Sequence, residues 1–118
     1  MRISGVFIFM LSIFALEACV DDTVPTPVYP CDNLSETPNY DNEIKAIVDA
    51  NCATAGCHVD AFSFGDFSTF QGMEDYLPAR INEEVLGEKT MPPAGFPELS
   101  QEDLIKISCW LEAGYPEN

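Results

Sequence analysis

The residues best suited to chemistry sit in one short run, "DANCATAGCHVD", Asp49 to Asp60. It holds Cys52, Cys57 and the single histidine of the chain, His58, with four residues between the cysteines. Two thiols and an imidazole on one loop support four chemistries. They can attach a haem through two thioethers, with the histidine on the iron. They can close a disulfide between Cys52 and Cys57. They can contribute three ligands to a zinc site. They can form a thiol nucleophile with an adjacent base. Nucleophilic catalysis fits poorly, because a nucleophile and its base are brought together by the fold rather than by chain adjacency, and no orienting third residue is evident. Zinc needs a fourth ligand, and adjacent Cys57 and His58 are awkward for tetrahedral chelation by one short loop. The haem and disulfide readings stay open at this level.

Haem attachment requires two thiols that reach one edge of a porphyrin and an imidazole that reaches the iron from one face. A histidine directly after the second cysteine satisfies this, because its backbone is already held at the ring edge. The spacer Ala53–Gly56 is small, and Gly56 permits the positive φ that a lengthened loop needs.

Which elements could position such a loop? Tyr40, Ile44, Ile47 and Val48 recur at helical spacing, with Asp41 as a candidate N-cap, so a helix is expected over 41–51, directly before Cys52. Ser68 or Asp66 could cap a short helix carrying Phe70 and Met73. Pro78 then interrupts or opens another through about Val85. Residues 87–99, with Pro92, Pro93, Gly95 and Pro97, read as a loop. The last helix has the clearest signals. Ser100 caps it, Asp103 completes an imperfect capping box, and Leu99 and Leu104 occupy staple positions. Leu104, Ile107, Ser108 and Leu111 form its apolar face with Trp110 beside it, and Gly114 and Pro116 end it. No segment alternates like a strand. The expected fold is all-α, with about three or four short helices joined by long loops.

The N-terminus sets the context. Arg2, an apolar run from Val6 to Leu16 and a small residue before Cys19 read as a secretory signal over 1–18. Leu16-Glu17-Ala18-Cys19 resembles a lipobox, which marks Cys19 for lipidation and the chain for a membrane anchor. Residues 19–39 contain four prolines and no helical periodicity, and read as an acidic tether. The folded part is then 40–118. So small a domain buries little surface and ordinarily needs a metal, a disulfide or a large cofactor.

Five cysteines in an exported chain call for partners. One assignment uses them all: Cys19 to lipid, Cys52 and Cys57 to haem, and Cys31 to Cys109, closing a loop of about 78 residues. The rival assignment bridges Cys52 to Cys57. That rival corresponds to a non-haem, disulfide-stapled surface lipoprotein acting as a binding module. The net charge of −15 at pH 7 disfavours nucleic acid and favours a basic protein partner.

Three stretches together carry a resemblance: "IKAIVDANCATAGCH", "TMPPAG" and "LSQEDLIKISCWLEAGYPEN". Over residues 40–118 the chain resembles small single-haem cytochromes c of bacterial envelope lipoproteins, the planctomycete-type group. It departs from that family in its Cys-x4-Cys-His spacing. The resemblance implies a class I cytochrome c fold, with the first and last helices packed across each other and haem c in the cleft. It implies Cys52 and Cys57 as thioethers, His58 as proximal ligand and Met91 as distal ligand. Met91 also lies in the long loop before the last helix, where Pro92 and Pro93 restrict the chain. Met73, on an expected helix near Phe70, reads as core. Trp110, Phe62, Phe64, Phe67 and Phe70 read as packing residues, and Arg80 as solvated. The expected activity is single-electron transfer by a covalent haem at the periplasmic side or outer-membrane surface. The expected partners are redox proteins with a basic docking face, and no enzymatic substrate chemistry is expected.

Overall fold

The structure is a computed structural model, and it describes residues 28–60, 62–76 and 79–118. The expected signal over 1–18, the lipidation site Cys19, the first part of the tether and Pro78 lie outside the described residues.

Every regular element among the described residues is helical. A short 3-10 turn, Cys31–Asn33, comes first. A π-helical turn, Tyr40–Ile44, leads without a break into α1, Lys45–Asn51. Next is α2, Phe70–Glu74. After it α3, Ala79–Ile81, runs on into a second π-helical stretch, Asn82–Gly87. The longest element, α4, is Gln101–Glu112. The all-α expectation therefore holds for the described residues.

The first helical stretch begins one residue earlier than expected, and Asp41 is not its cap. Asn39 is, in an extended conformation, with its side-chain oxygen accepting from the Asn42 N–H at 2.9 Å. Starting at Tyr40 buries that ring, and Ile44 four residues on is buried with it. The cap of α2 also differs. Thr69 accepts from the Gly72 N–H, while Asp66 instead accepts from the Ser68 N–H at 3.0 Å in a local turn.

Helix α4 is framed by its termini. The Ser100 hydroxyl accepts from the Asp103 N–H at 3.1 Å and donates to the Asp103 carboxylate at 2.7 Å. At the other end Gly114 has φ +84°, its N–H donates to Leu111, and the Tyr115 N–H donates to the Trp110 carbonyl. This pair of bonds satisfies the last carbonyls of the helix. The buried stripe is Leu104, Ile107 and Trp110, with Leu111 only partly covered and Trp110 fully inside. Trp110, rather than Leu111, thus centres the face, because its indole N–H donates to the Pro116 carbonyl at 2.9 Å and draws the C-terminal tail over it.

One core joins these elements. Tyr40, Ile44, Ile47 and Val48 meet Leu104, Ile107 and Trp110, and Ile81, Val85 and Leu86 close the other side. Lys106 reaches across from α4 to Glu43 at 3.7 Å and pairs within α4 with Glu102 at 2.9 Å. The C-terminal tail is pinned to the start of the first helical stretch, since the N–H groups of Tyr40 and Asp41 donate to the carbonyls of Pro116 and Glu117, each at 3.0 Å.

Residues 28–39 differ from a free tether. Tyr29 and Pro38 are buried, and Cys31 is disulfide-bonded to Cys109 with Cα atoms 5.6 Å apart. Among the described residues the core thus extends back to Tyr29. An apolar ring and a covalent bond hold the proline-rich stretch on α4. In the loop-entropy account a bridge of this span contributes on the order of 4 kcal/mol.

Candidate functional site

The segment after α1 folds back on itself. The His58 N–H donates to the Cys52 carbonyl at 3.1 Å, and within that closure the Cys57 N–H donates to Thr54 at 2.9 Å. Gly56 takes φ +83° at the tip, a conformation that disfavours residues with a Cβ. The four-residue spacer is thus taken up in a turn, and His58 returns to the side of Cys52 where α1 ends. Cys52 and Cys57 are both free thiols, each half-buried. Burial pushes the Cys52 thiol up to about 11, and the neighbouring Cys57 adds to the shift.

The His58 ring is specifically oriented. Its Nδ1 lies 3.1 Å from the Phe64 carbonyl and 3.3 Å from the Gly65 carbonyl. A carbonyl oxygen only accepts, so Nδ1 carries a proton. In the neutral ring Nε2 then holds the lone pair. Ligating histidines are commonly held in this way, with the second nitrogen donating to a backbone carbonyl. The loop that supplies these carbonyls is closed at its base by the Phe67 N–H, which donates to the His58 carbonyl at 2.8 Å.

Met91 lies on the loop before α4 and is 41% exposed. Its backbone N–H donates to the Glu84 carbonyl at 3.1 Å, which ties the start of the loop to the second π-helical stretch. Large apolar side chains stay uncovered on the two loops that carry His58 and Met91: Phe62 and Phe64 (66% exposed) on one, Met91 and Phe96 on the other. Met73 is buried in the core. Phe67 is also in the core and Phe70 packs against it, whereas Phe62 and Phe64 do not pack inside. Arg80 is exposed and lies 3.7 Å from Glu84.

Two surface concavities have none of Cys52, Cys57, His58 or Met91 in their linings. One, of about 440 Å³, runs between the first helical stretch and α4, lined by Glu43, Ala46, Ile47, Asn51, Asp103 and Lys106. The other, of about 420 Å³, flanks the Cys31–Cys109 bridge. Both are open grooves, and the donor set at Cys52, Cys57 and His58 is the chemically richer feature. Among the described residues no group of three or more His, Cys, Asp or Glu is gathered as a metal site, and that includes Cys52, Cys57 and His58 themselves. No helix among the described residues is long and apolar enough to cross a membrane.

The fold and the site together define an all-α domain that presents two thiols and an oriented imidazole on one loop. Compared with protein-family models, with curated proteins and with solved structures, the chain matches none. Sequence reasoning missed the carbonyls of Phe64 and Gly65 and the packing of Phe67 against His58. The one signal for them in the sequence is Gly65 itself, which has φ +101° in the middle of the loop.

Proposed function

We propose that the protein is an electron carrier rather than an enzyme: a c-type cytochrome with one covalent haem, held at the bacterial cell envelope by a lipid on Cys19. The observation that carries this reading is the His58 ring, with Nδ1 donating to two backbone carbonyls so that the lone pair of the neutral ring falls on Nε2, on the same closed turn as two free thiols. The residue types support the reading. Cys52 and Cys57 offer the thiols for two thioethers, and His58 offers Nε2 to the iron. Met91 offers a thioether sulfur from a loop whose first residues are tied down. The exposed Phe62, Phe64 and Phe96 offer apolar cover. Bound haem would supply Fe(III)/Fe(II) one-electron exchange, and methionine as second axial ligand favours a higher potential than a second histidine does. The strongly acidic chain suits a redox partner with a basic docking face.

The test is expression with c-type maturation machinery. The expected product is red, shows a reduced α-band, and keeps its haem through acidified acetone. A colourless, folded product with Cys52 bridged to Cys57 would overturn the assignment in favour of a disulfide-stapled binding module.

A further inference from the structure

The His58 imidazole is held by a surface as well as by hydrogen bonds. It lies flat on the ring of Phe67, with centroids 4.1 Å apart and planes within 1° of parallel. Phe62 meets it edge-on, at 5.4 Å and 82°. Rotation of a histidine ring about its last side-chain bond is broad and roughly two-fold, so covalent preference alone does not set the plane. A flat ring against one face does set it, because turning the imidazole drives its edge into Phe67. The carbonyls of Phe64 and Gly65 then select between the two flips of that plane, since only the protonated nitrogen can meet them.

Phe67 is fixed in turn. It is 5% exposed, and Tyr76 packs edge-on against it at 5.4 Å. A Cβ at Gly65 would lie 2.5 Å from Phe67 Cε1 and 2.5 Å from Tyr76 Cε2, so the two rings close over the glycine and leave no room for a side chain. The Phe67 N–H bond to the His58 carbonyl locks the two backbones side by side. Ring, carbonyls and glycine thus act as one cradle for the imidazole.

We propose that Phe67 is a positioning residue that sets the plane of the His58 imidazole and hence the direction of the Nε2 lone pair. What Nε2 meets rests on the haem reading above, whereas the orientation itself does not. Phe67 acts through His58 and need not touch the iron.

The experiment compares the full chain with its Phe67→Leu and Phe67→Tyr variants, each produced with and without c-type maturation. In the haem-free protein at alkaline pH, nitrogen-15 correlation spectra report which ring nitrogen carries the proton. Wild type and Phe67→Tyr are expected to hold Nδ1–H as the dominant form, and in Phe67→Leu it falls to a minority. In the haem-loaded ferric protein the spread of haem methyl proton shifts reports the imidazole plane. Phe67→Leu is expected to change that pattern by several ppm, and Phe67→Tyr to retain it. If Phe67→Leu fails to fold, Phe67→Met refills the volume without a flat face and takes its place. A wild-type ring protonated on Nε2, or a leucine or methionine variant that matches wild type in both spectra, overturns the assignment even if haem is bound. A chain that locks Nδ1–H through Phe67 yet never takes haem overturns the haem reading and supports the positioning role.

Discussion

The indole N–H of Trp110 donates to the carbonyl oxygen of Pro116 at 2.9 Å, and the same oxygen accepts the Tyr40 N–H at 3.0 Å. One acceptor therefore joins α4, the C-terminal tail and the start of the first helical stretch. Trp110 is fully buried, so its indole N–H depends on this bond even though the Pro116 side is only partly covered. Trp110→Phe keeps an aromatic ring but leaves a small void and removes the donor. The expected loss is about 2–3 kcal/mol of unfolding free energy, read from urea titration.

Tyr40 shows the opposite case a ring away, its centroid 6.4 Å from that of Trp110. Its hydroxyl is buried with no hydrogen-bond partner among the described residues, and burial raises its pKa. Removing an unsatisfied buried hydroxyl takes away a desolvation cost and leaves the ring packing intact. Tyr40→Phe is therefore expected to be neutral or to stabilise by about 1 kcal/mol, in the same titration. A clear loss of stability would mean that the hydroxyl has a partner, such as a buried water.

Gly72 sits inside α2, where glycine to alanine ordinarily stabilises a helix by about 1 kcal/mol. Here the sign reverses. A Cβ at Gly72 would lie 1.9 Å from the Asp66 carbonyl oxygen, a backbone atom that cannot swing aside. Gly72→Ala must push the 66–67 turn off α2, at an expected cost of about 1–3 kcal/mol or more. Because Phe67 follows Asp66, the same variant is expected to loosen His58, visible as broadened imidazole signals.

How far the sequence discloses such contacts depends on their range. The frame of α4 was legible, because Ser100 and Gly114 act through bonds to residues three or four positions away. The apolar period also marked Leu104 and Ile107. The start of the first helical stretch was not, since the choice of Asn39 over Asp41 depends on burying Tyr40 against Trp110, far along the chain. The docking of Tyr29 and Pro38 was hidden for the same reason: proline content signals a non-helical chain but not what it packs on. At the candidate site the chemistry of Cys52, Cys57 and His58 was readable from residue type. The cradle was not, because stacking on Phe67 requires the loop to close through one backbone bond, and spacing does not encode that bond.

The Cys52 thiol supplies a pH signature. Burial holds it protonated, with a pKa of about 11 against an ordinary value of 9.0. In the haem-free, reduced protein at pH 8, Cys52 is expected to alkylate about a hundredfold more slowly than an unhindered thiol, from the smaller thiolate fraction. Stability should change over the same window. The folded pKa is raised, so the stabilising term is complete below about pH 9 and is lost as pH climbs toward 11, where the unfolded chain ionises first. The expected fall is about 1–2 kcal/mol, after allowing for the partial exposure of the residue. Cys52→Ser should reduce that slope, leaving the part due to Tyr40, whose raised pKa acts in the same direction, and an unchanged slope would place its cause elsewhere.

Met91 decides whether the iron of the proposed haem is closed. Its side chain is 41% exposed, and its N–H bond to the Glu84 carbonyl fixes the point at which the loop leaves the second π-helical stretch. Pro92 and Pro93 follow and limit the conformations the loop loses when a ligand is held. If its sulfur fills the second axial position, the reduced wild-type protein should not bind carbon monoxide. Met91→Ala opens that position, so the variant should bind carbon monoxide on reduction. Its potential should also fall, because thioether ligation favours the reduced iron. The substitution lies on an exposed loop, so unfolding free energy in the haem-free protein should change by less than about 0.5 kcal/mol. That separates loss of a ligand from loss of the fold. Carbon monoxide binding by the wild type, or a variant with unchanged spectrum and potential, would remove Met91 from the ligand set and leave His58 as the sole axial residue assigned.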